Sequence, residues 1–234
     1  FNVVSLPFLF SSTEEADAAL DGAGGEALGE ILESTYNVHL LGIAENGFRH
    51  ITNSKHAIAS KADMNGLKMR VAGSQLLNRS YELWGADYTN ANWSEVFSAL
   101  QTGTYDGQEN PLGIITGNKF EEVQSYCTLT EHVYTPYYVV MNQAKWDSLT
   151  AEQQEALTKA IEETTQRQYE LSQQYEDEAI EVMEGAGCAV RTLTDEEKLE
   201  AADKANSLEA AKKIMYKPEL ADQMAAELEA YRNK

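Results

Sequence analysis

Arg70 lies in LKMRVAG, a run in which apolar and polar residues alternate, and the run ends in Ala72-Gly73-Ser74 ahead of a helical pattern. A guanidinium at a strand end, beside the free N–H groups of a helix start, matches a carboxylate in plane, shape and charge. The same side chain can equally bridge to one of the chain's own carboxylates. Downstream, NWSEVFSALQTGTYDGQENP places Trp93 at a helix start and Asn110 immediately before Pro111. A Trp there covers the apolar face of a sugar or alkyl chain, or packs into a core. Asn110 offers a donor and an acceptor to a hydroxyl or carboxylate, and it also suits a turn. His132, in TEHVYTPYY, reads as a structural hydrogen-bonding group or a ligand contact. Its neighbours Tyr134, Tyr137 and Tyr138 supply hydroxyls or pack between strands.

Bond-making chemistry finds little support. The chain has no GxSxG, HExxH or GxGxxG pattern and no glycine-rich phosphate loop. His39, His50, His56 and His132 form no local ligand pair, and Cys127 and Cys188 lack metal spacing. The cysteines read as packed thiols or as a mutual bridge, a choice set by a Cα separation that sequence does not give. We expect no enzyme, no cofactor and no metal.

The elements that must position these residues belong to a packed protein. With 234 residues and 43% hydrophobic content, the chain can bury a sizeable core. Its 38 acidic residues against 18 Lys and Arg, a net charge of −20, argue against nucleic acid or anionic lipid as partner. A small anion remains compatible, because the field in a cleft is set by nearby groups. No apolar run approaches membrane-spanning length, and Phe1 opens no signal peptide, so the chain reads as starting inside a fold.

FNVVSLPFLF reads as a buried strand, followed by a helical segment through Leu32 capped by Ser12 and Glu15. NVHLLGIAE and FRHITN read as two extended segments separated by an Asn46-Gly47 turn. Two strand-loop-helix units follow, LKMRVAG with Gln75 to Trp84 and ADYTNA with WSEVFSALQTG, then a short strand in TYDGQENP. CTLTEHVYTPYYVVMN reads as two strands broken near Pro136. Helical spacing then runs from Thr150 to Gly185, about nine turns. AGCAVRTL is a last strand, Thr194 and Glu197 make a capping box, and the remainder is helical with an interruption near Pro218. Strands alternating with helices in this way define an α/β class.

GLKMRVAGS together with NWSEVFSALQTGTYDGQENP resembles the extracytoplasmic substrate-binding proteins of tripartite ATP-independent periplasmic (TRAP) transporters, the DctP-type family, over nearly the whole chain. The resemblance implies a two-lobed, type II-like periplasmic-binding fold with a long helix spanning both lobes. It implies segments 1–46 and 105–131 as mixed lobe and hinge, 47–104 as the core of the second lobe, and 132–234 as returning strands and helices. It implies that Arg70 pairs with a substrate carboxylate, that Arg49 and Asn110 lie in or near that contact, that Trp93 lines the cleft and that His132 lies close by. The implied ligand is an organic acid, a sugar acid such as a uronate ahead of a C4-dicarboxylate or oxo acid; Gly73, where some relatives carry a polar side chain, argues against transferring sialate specificity. The implied partner is the membrane permease, in a periplasmic or other extracytoplasmic setting, with lipid anchoring left open. An organic-acid sensor acting with a signalling partner is the alternative. Family members begin with further strand and helix units, so we expect an incomplete first lobe and self-association through an exposed sheet edge.

Overall fold

The computed structural model describes residues 2–201, 212–213 and 218–233. Helices α1 (Thr13–Leu20) and α2 (Ala23–Tyr36) precede the long strand β1 (Val38–Asn53). Then come β2 (Lys68–Arg70), α3 (Gln75–Leu83), β3 (Asp87–Thr89), α4 (Val96–Gln101) and β4 (Gly107–Asn110). Helix α5 (Leu112–Gly117) leads to a second long strand, β5 (Tyr126–Asn142). The short α6 (Gln143–Asp147), the 35-residue α7 (Ala151–Gly185), β6 (Ala189–Thr192), α8 (Asp195–Ala201) and α9 (Glu219–Arg232) complete the order.

The six strands form one sheet in the order β3-β2-β4-β1-β5-β6. β2 runs parallel to β3 and β4, and β6 parallel to β5, while β1 is antiparallel to both β4 and β5. β1 and β5, at 16 and 17 residues, are much longer than the other four strands. Their far halves, Val38–Glu45 against Pro136–Asn142, pair with each other and carry α1, α2 and α9; their near halves hold β4 and β6. One core, with Leu28, Phe48, Tyr134, Met224 and Leu228, lies under the terminal helices. A second surrounds Met69, Leu77, Tyr81 and Trp84, and a third joins Val96, Leu100, Ile115 and Phe120 to Met183 near the end of α7. Thr150 and Gln153 close a capping box at the start of α7, which packs on β1 so tightly that a Cβ on Gly42 would meet Ile161 at 2.7 Å.

Four sequence expectations are corrected. The opening segment is not a strand: Asn2–Ser5 form a 3-10 turn, Leu6 N–H bonds to Val3 O, and Val3, Val4 and Phe10 pack into the first core. Asn46-Gly47 is not a turn between segments. β1 continues through it as a bulge, with the register shifting between Glu45 and Gly47 and Gly47 at φ +104°. Nor does β5 break at Pro136, which sits opposite Glu45 where the outer side of β5 carries no strand, so its missing N–H leaves no ladder bond unmade. The first helical segment is also divided in two; Ser12 caps it as expected, its Oγ accepting the Glu15 N–H at 3.2 Å, but the Glu15 carboxylate accepts the Ser11 N–H instead of returning to Ser12. The Thr194–Glu197 box forms as expected. The interruption near Pro218 falls mostly outside the described residues.

Candidate anion-binding site

Adjacent strands supply the polar cluster. Arg49 sits on β1 beside a second bulge, Arg70 ends β2, and Glu109 and Asn110 end β4; β4 lies between the other two. β4 is buried along its whole length although its sequence is Gly-Gln-Glu-Asn, so each polar group on it must find a partner. Gly107 makes this possible: a Cβ there would stand 2.2 Å from Thr52 O.

Arg49 is spent on that requirement. Its Nε donates to Glu109 Oε2, and its Nη2 donates to Glu109 Oε1 at 2.9 Å, Glu109 O at 2.7 Å and Asn110 Oδ1 at 2.9 Å. Glu109 Oε1 also accepts the Ala72 N–H at 2.9 Å, tying the cluster to the loop after β2. Burial pushes the Glu109 carboxyl up, but the Arg49 guanidinium, with His132 nearby, outweighs it and brings it down to about 2. Glu109 is therefore a fixed negative charge. Asn110 Nδ2 donates to Gln108 Oε1 at 2.6 Å, and Gln108 continues the chain to Thr52 and Gln124.

His132 has no exposed surface. Its Nδ1 meets Thr130 Oγ1 at 2.7 Å, its Nε2 lies 3.7 Å from Glu109 Oε2, and its ring abuts Tyr81 and Trp84. Burial lowers its pKa despite Glu109, and burial with its charged neighbours takes His50 down to about 3, so both imidazoles are neutral near pH 7. A small apolar hollow lined by Phe8, Met64 and Trp84 backs onto His132 and does not reach the arginines.

Arg70 contrasts with Arg49. It makes no ion pair among the described residues; Nη2 donates to Ala91 O at 3.2 Å, and Nε is buried with no partner. Its Cζ lies 5.4 Å from the centroid of the Trp93 ring, which rests on Phe120 at 5.5 Å and is 43% exposed. Burial draws its pKa down while Glu109 opposes, and arginine stays charged in proteins. Summed over the cluster, Arg49 and Glu109 cancel, the histidines are neutral, and Arg70 leaves one positive charge.

All five residues singled out in the sequence thus meet around β2, β1 and β4. Of the nearby tyrosines, Tyr134 and Tyr138 turn into the first core, whereas Tyr137 is half-exposed and feels the charge of Arg49. Glu109 and Gln108 escaped the sequence reading. Their one signal was two long polar side chains inside a short strand of DGQENP, between residues already chosen.

The fold is that of a mixed α/β, two-lobed binding protein of periplasmic type. The chain belongs to the bacterial extracellular solute-binding protein family 7, whose family model matches residues 1–216. It is 37% identical over 194 residues to the 2,3-diketo-L-gulonate-binding periplasmic protein of Escherichia coli, covering 83% of this chain and 59% of that protein. The C4-dicarboxylate-binding periplasmic protein of Rhodobacter capsulatus is 33% identical over 199 residues, 85% of this chain and 59% of its own. The sugar acid binding protein of Advenella mimigardefordensis in complex with galactonate superposes with a TM-score of 0.91 at 33% identity, covering 98% of this chain and 74% of that one. The chain therefore spans somewhat more than half the length of the curated relatives it matches.

Proposed function

We propose that this chain binds a monoanionic sugar acid or related hydroxy- or oxo-acid in the periplasm and delivers it to a TRAP membrane permease. Arg70 pairs with the carboxylate through its unpartnered Nε edge, and Trp93 covers the apolar face of the carbon chain. Arg49, Glu109 and Asn110 form the fixed wall behind them. Closure of the two lobes follows from tighter binding of ligand in the closed form, with no bond made or broken.

The observation that carries this reading is the uncompensated charge of Arg70 beside a carboxylate already saturated by Arg49. One net positive charge suits one carboxylate, which favours aldonates, uronates and oxo-acids over C4-dicarboxylates. No helix among the described residues is long and apolar enough to cross a membrane, which accords with a separate permease partner.

A thermal-shift screen against galactonate, galacturonate, 2,3-diketogulonate and succinate tests the ligand class. Saturable stabilisation by one or more monocarboxylates, stronger than by succinate, is the expected result. Stabilisation by succinate alone would refute the single-charge argument.

A further inference from the structure

The long strand β1 passes from one half of the molecule to the other at Glu45-Asn46-Gly47, where its register against β5 shifts. Glu45 N–H and C=O face away from β5 at this level, and no strand among the described residues receives them. The Gln168 side chain of α7 does so instead: its Oε1 accepts the Glu45 N–H at 2.9 Å, and its Nε2 donates to Glu45 O at 2.7 Å. One amide thus stands in for a strand partner. One turn and more along α7, Gln173 Nε2 donates to both carboxyl oxygens of Glu45 at 3.1 Å. Glu176, next on the same side, closes on the bulge, since a Cβ on Gly47 would lie 2.8 Å from its Oε1.

Glu45 is only 3% exposed and forms part of the wall of two hollows on the α7 side of the ribbon. The larger, about 550 Å³, is also lined by Gln168, Tyr175, Glu176 and Tyr137; the other, about 440 Å³, by Asp17, Glu162 and Tyr169. These hollows give the crossing point room to move and water a way to its carboxyls.

We propose that Gln168 and Gln173 are positioning residues that clasp β1 to α7 at the crossing between the lobes, and that Glu45 is the group through which they set the balance of open and closed forms. The proposal rests on the reading above that the lobes close on a ligand, though the clasp exists without one. The titratable groups facing it are Glu176, Asp177, Tyr169 and Glu162 from α7, Asp17 from α1 and Asp21 just past its end, and Tyr134 and Glu131 from β5, the last paired with Lys198 of α8. The charges that act most on Glu45 are those of Glu176 and Asp17, both acidic. Burial raises Glu45 and Glu176 to about 7, above their ordinary 4.5. The Gln173 hydrogen bonds favour a charged Glu45, but burial and the acidic neighbours outweigh them. A neutral Glu45 therefore favours the clasped state, whose contribution is complete below pH 4.5 and is lost as the pH rises through about 7.

Hydrogen exchange on the unliganded chain reads the clasp directly, because the Glu45 amide is its donor. Gln168→Ala, or Gln168→Met if the first folds poorly, should speed exchange at Glu45 by about tenfold or more and leave Ile51–Asn53 unchanged. After correction for intrinsic rates, exchange at Glu45 should be faster at pH 8.5 than at pH 5.5 relative to Ile51–Asn53, and Glu45→Gln should flatten that profile. Spin labels on α2 and α3 should show a broader distance distribution in the Gln168 variant. Unchanged exchange at Glu45, a pH profile that survives Glu45→Gln, or an unaltered distance distribution would each overturn the proposal. If wild type shows these clasp responses but binds none of the acids tested, the ligand reading fails and the clasp stands.

Discussion

Arg49 meets Glu109 and Asn110 with its fork, while Arg70 meets only a carbonyl and a ring, and this difference sets what each substitution does. Arg70→Ala should cost about 2–5 kcal/mol of ligand binding, measured by calorimetry, because it removes the charged partner of a desolvated carboxylate. Its effect on unfolding in denaturant should be much smaller. Arg49→Ala should reverse the pattern, costing about 3–5 kcal/mol of stability by leaving Glu109 buried without its charge partner. Because Glu109 titrates at about 2 in the fold against an ordinary 4.5, its stabilising contribution is complete above pH 4.5 and fades as the pH falls towards 2. Acid unfolding should therefore show a component in that range that is missing in Glu109→Gln. The motif GLKMRV and the motif DGQENP made Arg70 and Asn110 legible in the sequence. What they did not convey was that Glu109 consumes one of the two arginines, since partner choice depends on β4 lying between β1 and β2.

At the scale of elements, strand and helix identities followed from periodicity wherever one face is buried, as in α7 and in the β2-α3 unit. Two of the errors fall where the chain passes between halves. Asn46-Gly47 and Pro136 carry the chemistry of turns and strand ends, yet here they lie opposite each other in one continuous ribbon. A left-handed glycine makes a bulge as readily as a turn, and proline is tolerated where no neighbouring strand needs its N–H. Gly107 shows the opposite case, a glycine demanded by close approach: Gly107→Ala should push β4 off β1 and cost about 1–3 kcal/mol in denaturant unfolding, with weakened ligand binding because β4 carries Glu109 and Asn110. The structure holds both cysteines as free thiols, Cys127 on β5 opposite Val190 and Cys188 just ahead of β6. Both are buried thiols, with burial pushing Cys188 up to about 11. Thiol titration should find two reactive groups after unfolding and a slow reaction before it.

For the molecule as a whole, a net charge of −20 and a positively charged candidate site coexist because the acids cover solvated surface such as α7, while Arg70 acts within a few ångströms under low dielectric. Composition alone stopped at an acidic α/β protein; the two-lobed arrangement became legible only through the joint motifs, since no local pattern says that β1 and β5 cross from one half to the other. The central claim is that Arg70 holds the single uncompensated charge that captures one carboxylate. Titration calorimetry of wild type and Arg70→Ala with galactonate tests it most directly. One-to-one binding by the wild type, weakened by about 30-fold or more in the variant, is the predicted result. Equal affinities in the two proteins would contradict the account.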